Sequence, residues 1–229
     1  MSKMRGGGTY MLETFLNEKN ELTTLKKPLQ GDGDFRSQEC LDLLKKCDFV
    51  ITNPPFSLFR EFVDILIKSK KKFIIIGNQN ATSYKEIFKL LKNNKVWYGM
   101  TRPTEFITKY EISNGHIQPI ETQKFGNILW FTNVDHSNRH IELVLYKKYT
   151  KQEYPKYDNY DAINVDKVKD IPIDYDGAIG VPITFLDKYN PDQFEILGCM
   201  SSTTVDEYSF GYPYVKGKKK YARIVIKKK

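Results

Sequence analysis

The sequence predicts an α/β fold with a parallel sheet. Between residues 48 and 98, three short apolar segments alternate with two segments whose apolar residues follow helical spacing. Strand, helix, strand, helix, strand is the order typical of parallel sheets whose strands are joined by crossover helices. After residue 100 the alternation stops and polar turns separate the apolar segments. The chain therefore combines a parallel α/β unit with a less regular second half.

The chain begins with a polar segment of weak periodicity. Residues 1–30 contain three consecutive glycines and no clear apolar face, so we expect an irregular N-terminal segment there. After a turn at residues 31–34, Ser37 is a residue type suited to capping a helix over Gln38–Lys46. The main domain is then expected to cover residues 31–229.

The central segments differ in their apolar patterns. Residues 73–76 are continuously apolar and closed by Gly77, as expected of a strand buried on both faces. Residues 59, 62, 63 and 66 are apolar at helical spacing. The predicted elements are strands over residues 48–52, 73–76 and 96–98 and helices over residues 58–69 and 84–91.

The second half predicts fewer regular elements. Ile128–Thr132 and residues 141–146 are expected to form strands joined by a polar turn, giving the sheet an antiparallel edge. Residues 149–177 are rich in Tyr, Asp, Lys and Pro and predict a long loop over the body of the protein. Residues 194–199 and 222–226 predict late strands.

Charge and composition restrict the class of protein. Lys and Arg total 36 against 28 acidic residues, a formal net charge of +8. This balance suits a polyanion such as nucleic acid, although lysines also serve simply to keep a protein soluble. No apolar run is long enough to span a membrane. Three cysteines without a CxxC pair indicate reduced thiols and a cytoplasmic protein.

The tetrapeptide Asn53-Pro54-Pro55-Phe56 directly follows a predicted strand, where parallel α/β sheets bind their ligands. The Asn53 carboxamide oxygen and the Pro54 carbonyl can each accept one N–H of an amino group. The prolines fix φ and so preorganise both acceptors, and Phe56 offers a ring on which a base can stack. This combination indicates methyl transfer to an amino nitrogen.

The same tetrapeptide leaves other interpretations open. It suits an adenine, a guanine or a glutamine amide equally well, so it does not identify the substrate. It could also be only a rigid turn that ends a strand. The remaining candidate residues have simpler interpretations. His136 and His140 are expected in a turn between strands rather than at a metal site, and Cys47 is expected to be a core residue rather than a nucleophile.

Several separated segments resemble the EcoRI-type adenine-specific DNA methyltransferases. The resemblance covers about residues 30 to 200 and is specific at distinct places. Its main segments are Gly31-Asp32-Gly33-Asp34-Phe35-Arg36, Asn53-Pro54-Pro55-Phe56-Ser57-Leu58, Gly126-Asn127-Ile128-Leu129-Trp130-Phe131 and Gly180-Val181-Pro182-Ile183-Thr184-Phe185.

The resemblance implies a Rossmann-like methyltransferase sheet and S-adenosyl-L-methionine as cofactor. It implies methylation of adenine N6 in a short site of double-stranded DNA. By this analogy the catalytic segment is Asn53, Pro54, Pro55 and Phe56, which would bind a flipped adenine. Asp34 and Phe35 correspond to the segment beside the adenine of the cofactor. No metal is implied.

The chain also departs from this family. Family members have a longer region before the equivalent of Gly31, which supplies the first strands and most cofactor contacts. We therefore expect a sheet that is incomplete at the N-terminus, in a truncated or split enzyme. A separate N-terminal fragment or a cognate restriction endonuclease is an expected partner. Residues 97–125, where aromatic residues are interleaved with basic ones, are the candidate target-recognition insertion, although the same pattern suits the ordinary packing of a surface lobe.

Two alternatives remain at the level of the sequence. The chain could be a DNA-binding remnant without methyl transfer, because the cofactor region is short. It could also be an RNA or protein-glutamine methyltransferase that uses the same tetrapeptide. Binding of the methyl donor separates the first alternative from an active enzyme, and the identity of the methylated substrate separates the second.

Overall fold

The computed structural model of the chain describes residues 10–113 and 116–229. The α-helices of this part are α1 (Gln38–Lys46), α2 (Phe59–Lys68) and α3 (Lys85–Lys92). The first strands are β1 (Tyr10–Leu16), β2 (Leu22–Pro28), β3 (Phe49–Thr52), β4 (Lys72–Asn78), β5 (Trp97–Tyr98), β6 (Glu105–Ser113), β7 (His116–Lys124) and β8 (Ile128–Thr132). The later strands are β9 (Ala162–Asn164), β10 (Ala178–Pro182), β11 (Phe194–Met200), β12 (Tyr214–Val215), β13 (Lys218–Lys219) and β14 (Arg223–Lys228).

The first sheet is mixed and has the strand order β3-β4-β8-β5. β3 and β4 are parallel, whereas β8 is antiparallel to both of its neighbours, β4 and β5. β3, β4 and β5 therefore run in the same direction, as the alternation of strands and helices predicts. The antiparallel strand β8 lies inside the sheet, however, so its predicted pairing with residues 141–146 at an edge is wrong.

Residues 141–146 form no strand. In place of the main-chain hydrogen bonds of a sheet, Leu143 is hydrogen-bonded to the side chain of Gln193. The Leu143 N–H donates to Gln193 Oε1 at 2.8 Å, and Gln193 Nε2 donates back to the Leu143 carbonyl at 2.8 Å. Leu143 and Leu145 pack against the core, while Ile141 and Val144 are exposed. An alternating apolar pattern is thus satisfied by an extended segment without strand pairing.

The predicted helices are confirmed, with small differences at their ends. The Ser37 hydroxyl caps α1 by accepting from the Cys40 N–H at 3.3 Å. α2 and α3 cover one face of the first sheet, and the other face is more open: Ile74 is only half-buried and Ile51 is 70% exposed. Residues 73–76 agree with the expected strand buried on both faces except at Ile74, because Phe73, Ile75 and Ile76 are buried. The apolar contacts on the covered face come from Phe59, Val63, Leu66, Phe73, Ile75, Ile87, Phe88, Leu91 and Phe131.

The second sheet has the order β11-β14-β10-β9 and shares one apolar core with the first. α3 lies between them: Lys92 Nζ donates to the carbonyls of Ile196 at 3.0 Å and Leu197 at 2.9 Å. The late strands are confirmed as β11 and β14. Residues 149–177 are more than a covering loop, because they contain β9 and bury Tyr154 and Ile163.

Three two-stranded hairpins extend from this body: β1–β2, β6–β7 and β12–β13. The expectation of an irregular segment over residues 1–30 is wrong for β1–β2, where Tyr10 is paired with Pro28 and Leu16 with Leu22. The triple glycine lies outside the described residues. The result is a mixed α/β protein, in whose described part no helix is both long and apolar enough to cross a membrane.

Candidate base-binding site

The tetrapeptide Asn53-Pro54-Pro55-Phe56, called the clamp below, connects the end of β3 to α2. Pro54 is buried and both peptide bonds that precede the prolines are trans. A 3₁₀ helix over Phe56–Leu58 follows, in which the Leu58 N–H donates to the Pro55 carbonyl at 3.0 Å. α2 begins at the next residue. The clamp is therefore held between a strand and two helical turns, with φ fixed at two of its four positions.

The polar groups of the clamp are open to a ligand. Asn53 is exposed, and no group of the described chain is hydrogen-bonded to its carboxamide. The Pro54 carbonyl is likewise not used by a turn or cap in the described part. Phe56 keeps 41% of its surface exposed. Two unused acceptors beside an open ring can hold an amino-bearing planar group.

Gly77 on β4 determines how closely α2, the helix that follows the clamp, packs on the sheet. A Cβ at Gly77 would lie 2.6 Å from Phe59 Cε2 and 2.9 Å from Phe131 Cδ2. The rings of Phe59 and Phe131 meet edge to face at 5.1 Å. Gly77 thus allows the first residue of α2 to sit directly on the sheet, which fixes where the preceding clamp can lie.

Several strand ends converge on the same edge of the first sheet. The carboxyl ends of β3, β4 and β5 lie there, and so does the amino end of the antiparallel β8. The β6–β7 hairpin is inserted between β5 and β8 and therefore leaves the sheet at the edge that carries the clamp. Its base is closed by the Phe125 N–H, which donates to the Thr104 carbonyl at 3.2 Å, and by the rings of Phe106 and Phe125, whose centres are 5.3 Å apart.

Asp34 and Phe35, the predicted cofactor residues, both interact with Arg36. The Asp34 carboxylate accepts from Arg36 Nη2 at 2.7 Å and from Nε at 2.9 Å. These hydrogen bonds lower the pKa of Asp34 to about 2. Arg36 also reaches Glu61 in the first turn of α2, at 3.2 Å, and Phe35 packs edge to face on Phe62 at 5.0 Å. The segment is thus attached to the helix that follows the clamp.

Phe35 lines a cavity of about 380 Å³ between α1, β3 and α2. Its lining is largely apolar and includes Leu43, Phe49 and Phe62. An apolar slot of this size suits a purine ring. The ribose and the amino-acid end of S-adenosylmethionine need polar partners, and Asp34, whose carboxylate is paired with Arg36, does not line the cavity. The described residues therefore fit only the adenine end of this cofactor.

Sequence reasoning missed a row of charged and aromatic residues beside the clamp. The Arg60 guanidinium lies 5.3 Å from the centre of the Tyr84 ring and 3.8 Å from Glu86. Lys85 in turn reaches Glu207 at 4.0 Å. Arg60 follows the clamp by four residues and Tyr84 precedes α3, so the only signal in the sequence was that both lie in segments that follow predicted strands.

The two candidate histidines have separate contacts. His136 Nε2 is hydrogen-bonded to the Tyr98 carbonyl at 2.8 Å, whereas His140 Nε2 pairs with Asp135 at 2.8 Å. Across residues 10–113 and 116–229, no group of three or more His, Cys, Asp or Glu side chains is arranged to hold a metal. Cys47 is half-buried, with its thiol directed to the Leu44 carbonyl at 3.3 Å.

Comparison with known proteins identifies relatives along almost the whole chain. The chain is 52% identical to the Type II methyltransferase M.EcoRI of Escherichia coli over 216 residues, which are 87% of this chain and 63% of that protein. It is 39% identical to M.MgeORF184P of Mycoplasma genitalium, with 94% of this chain and 75% of the relative covered. For M.MpnI of Mycoplasma pneumoniae the identity is 38%, with 97% and 76% covered.

The chain thus spans a little under two thirds of M.EcoRI and about three quarters of each Mycoplasma relative. No solved structure matches it. The family model described as "Adenine-specific methyltransferase EcoRI" matches residues 10–229. This match includes the β1–β2 hairpin and so begins earlier than the resemblance visible in the sequence. The chain belongs to the EcoRI family of adenine-specific methyltransferases.

Proposed function

We propose that the chain is the base-binding part of a site-specific DNA methyltransferase that transfers a methyl group from S-adenosyl-L-methionine to adenine N6. The observation that carries the proposal is the pair of unused acceptors, the Asn53 carboxamide and the Pro54 carbonyl, beside the exposed ring of Phe56. The relatives that bear the name Type II methyltransferase support the same activity.

The clamp residues supply orientation rather than acid or base catalysis. The Asn53 oxygen and the Pro54 carbonyl each accept one N–H of the adenine amino group, which directs the nitrogen lone pair away from the ring plane. Phe56 stacks on the base and fixes its plane. A sulfonium donor would supply an already activated methyl group, so the clamp residues need only orient the amino nitrogen, and the displaced amino proton would leave to solvent.

An adenine inside a duplex cannot reach this site, because its amino group is paired and both of its faces are stacked. The base must rotate out of the helix, at a cost of about a few kcal/mol. In this proposal the β6–β7 hairpin is the main part of the target-recognition insertion over residues 97–125. A two-stranded ribbon fits the major groove of DNA, and this hairpin starts at the sheet edge that carries the clamp.

The cofactor site is proposed to be shared with further polypeptide, either continuous with this chain or separate from it. β3 is an edge strand of the described sheet, and Phe49 and Ile51 on it are 40% and 70% exposed. α1 beside it has no fully buried residue. A parallel strand added to β3 would cover these apolar groups and bring polar groups to the cavity beside Phe35, which completes a Rossmann-like methyltransferase sheet.

The test is transfer of a radiolabelled methyl group from S-adenosylmethionine to mixed-sequence duplex DNA. The chain is assayed alone and with the complementary segment of a family member. The expected result is label on adenine N6 that falls about 100-fold or more in Asn53→Ala, because a positioned hydrogen-bond acceptor is lost. DNA affinity should stay within a few-fold, since phosphate contacts dominate it.

Asn93→Ala is the matched control, because Asn93 is exposed at the end of α3 and far in sequence from the clamp. Full activity in Asn53→Ala would disprove the role of the clamp. Label on RNA or on a glutamine side chain, with DNA unlabelled, would establish another substrate class. DNA binding without any label, even with the complementary segment, would identify a binding protein without methyl transfer.

A further inference from the structure

A second aromatic cavity lies in the C-terminal half of the chain, far in sequence from the clamp. It has a volume of about 600 Å³ and a largely apolar wall. Tyr160, Phe210, Tyr212 and Tyr214 contribute the rings, and Asp206 is among the polar groups. A cavity with four aromatic side chains is suited to a flat ligand such as a nucleobase.

The wall of this cavity is preformed. The rings of Tyr160 and Phe210 stack at 4.3 Å with an angle of 9° between their planes. Asn159 Nδ2 donates to the Phe210 carbonyl at 2.9 Å, and Gly211 adopts φ +77°, which allows the chain to turn there. A ligand would therefore find its aromatic wall already in place.

A lysine-rich hairpin, β12–β13, borders the cavity. Its turn residues Lys216 and Gly217 have positive φ, and their N–H groups donate to the Asp158 carboxylate at 2.9 and 2.7 Å. Lys219 Nζ lies 3.2 Å from the centre of the Tyr212 ring. Lys216 and Lys218 are exposed and form no ion pair within the described chain. The hairpin that contributes Tyr214 to the aromatic wall therefore also carries positive charge that is not paired with an acid of the described chain.

The Asp206 carboxylate determines which part of a nucleotide can enter the cavity. Asp206 Oδ1 accepts from the N–H groups of Tyr208 at 2.7 Å and Ser209 at 2.9 Å, and these hydrogen bonds lower the pKa of Asp206. Its carboxylate is thus charged at neutral pH and repels a phosphate inside the cavity, while Oδ2 remains able to accept from the amino group of a base. The base belongs in the cavity and the phosphates belong on the lysines.

The cavity and the clamp are joined by a continuous series of contacts. Arg60, one turn after the clamp, lies over the Tyr84 ring. The next residue, Lys85, reaches Glu207 at 4.0 Å and lies 5.9 Å from the Tyr208 ring centre. Glu207 and Tyr208, which follow the cavity residue Asp206, therefore pack on the amino end of α3, and Arg60 connects this end of the helix to the clamp.

We propose that this cavity is a second, non-catalytic base-binding site, which takes one unpaired nucleotide of a DNA strand while Lys216 and Lys218 bind its neighbouring phosphates. A base within a duplex cannot enter such a cavity, so the site favours single-stranded or locally opened DNA. The site shares with the proposed function only the DNA ligand and does not require methyl transfer.

The test uses a single-stranded DNA oligonucleotide that contains 2-aminopurine, whose fluorescence falls when the base stacks on an aromatic ring. The oligonucleotide is titrated with the whole chain without S-adenosylmethionine. We expect quenching that persists in Phe56→Ala, which removes the ring of the clamp. In Tyr214→Ala the affinity should fall about tenfold or more, and in the double variant Lys216→Gln/Lys218→Gln it should fall and lose much of its salt dependence.

The double variant Lys148→Gln/Lys151→Gln is the charge-matched control, because both lysines are exposed and distant in sequence from the cavity. Circular dichroism checks that every variant is folded. Quenching that disappears in Phe56→Ala, or that is unchanged in both Tyr214→Ala and the Lys216/Lys218 variant, would overturn the proposal. So would stronger displacement by an RNA of the same sequence. A failed methyl-transfer assay with intact quenching would count against the proposed function alone.

Discussion

At the amino end of α2, neighbouring side chains connect the clamp to the rest of the protein. Phe59 rests on β4 above Gly77, Glu61 pairs with Arg36, and Phe62 packs on Phe35. The base site and the segment proposed to lie beside the cofactor are thus attached to one turn of helix. A change at any of these residues should affect the relative position of the two.

The substitution Gly77→Ala tests this arrangement. The added Cβ would approach the Phe59 ring to 2.6 Å and Phe131 to 2.9 Å, so buried rings must move. We expect the free energy of unfolding to fall by about 1–3 kcal/mol, as in other overpacked cores. Methyl transfer should fall further than global unfolding explains. Urea denaturation and the rate at saturating DNA measure the two effects.

Gly126→Ala is the control for this substitution, because a Cβ at Gly126 meets no atom within 4 Å. Both quantities should stay at their wild-type values in that variant. If Gly77→Ala were as stable and as active as Gly126→Ala, Phe59 would not fix the position of the clamp.

The ion pair of Asp34 predicts a pH dependence of stability. The folded-state pKa of Asp34 is about 2, below its ordinary value of 3.8, because Arg36 is hydrogen-bonded to the carboxylate. The stabilisation is therefore complete above about pH 4 and is lost as the pH falls towards 2. In urea denaturation, Asp34→Asn should be less stable than wild type at pH 6, and the difference should shrink towards pH 2 and in high salt.

Asp176→Asn provides the comparison, because the Asp176 side chain is 98% exposed and its ion pair with Lys228 is long, at 3.8 Å. It should change stability little at any pH. A difference between Asp34→Asn and wild type that persists unchanged at pH 2 would show that the pair contributes through packing and not through charge.

The clamp could be proposed from the sequence because its proposed action is local: four consecutive residues supply the acceptors, the rigidity and the ring. It did not reveal Arg60 beside Tyr84, since that contact depends on two helices meeting after separate strands. Asp206 was missed for a similar reason. Its cavity is assembled from residues about fifty positions apart in the chain, and no local pattern identifies such a set.

At the scale of the elements, the strands and helices of residues 37–98 were predictable because short apolar runs alternate there with segments of helical spacing. The central place of β8 could not be predicted, because the amino-acid composition of Ile128–Thr132 suits an edge strand as well as a central strand. Its central position follows from hydrogen bonds to β4 and β5 on both sides. The β1–β2 hairpin was missed because its strands are largely exposed and their apolar residues, such as Leu12, Leu16 and Leu22, contribute to no buried core.

The β6–β7 hairpin can be tested by shortening it. Ile107 is paired with Thr122, so residues 108–121 can be replaced by Asn-Gly, which favours a two-residue hairpin turn. Every described side chain of the hairpin lies outside the buried core, so the melting temperature should change by less than about 4 °C, the shift expected for 1 kcal/mol. Sequencing of methylated mixed-sequence DNA should show that preference for one target site is lost. An unchanged target site would exclude the hairpin from recognition.

At the scale of the whole molecule, one apolar core serves both four-stranded sheets, and three features lie at its surface: the clamp, the open edge at β3 and the lysine-rich hairpin β12–β13. The charge of +8 could be counted in the sequence. The positions of the unpaired charges could not be predicted from the sequence, because they depend on which carboxylates already have hydrogen-bond partners. The Asp158 carboxylate, for example, accepts from two backbone N–H groups.

This distribution of charge predicts that DNA affinity depends steeply on salt. A plot of the logarithm of the association constant for duplex DNA against the logarithm of salt concentration should be linear, with a slope of about −0.9 per phosphate contact. Replacing Lys216 and Lys218 by glutamine should reduce the slope by about one for each lysine that contacts phosphate. Affinity that does not change with salt would mean that the positive surface is not the contact surface.

The attachment of the β6–β7 hairpin has a consequence for how the family can diversify. The hairpin leaves after β5 and returns to β8, and these two strands are hydrogen-bonded neighbours, with Tyr98 opposite Phe131. Its ends are therefore held together by the sheet whatever its length, and doubling a loop adds only about 0.6 kcal/mol of closure entropy. The hairpin can lengthen, shorten or be exchanged between relatives while the sheet beneath it is inherited unchanged. In the recognition role proposed for the hairpin, a change of target preference then need not disturb the residues of the clamp.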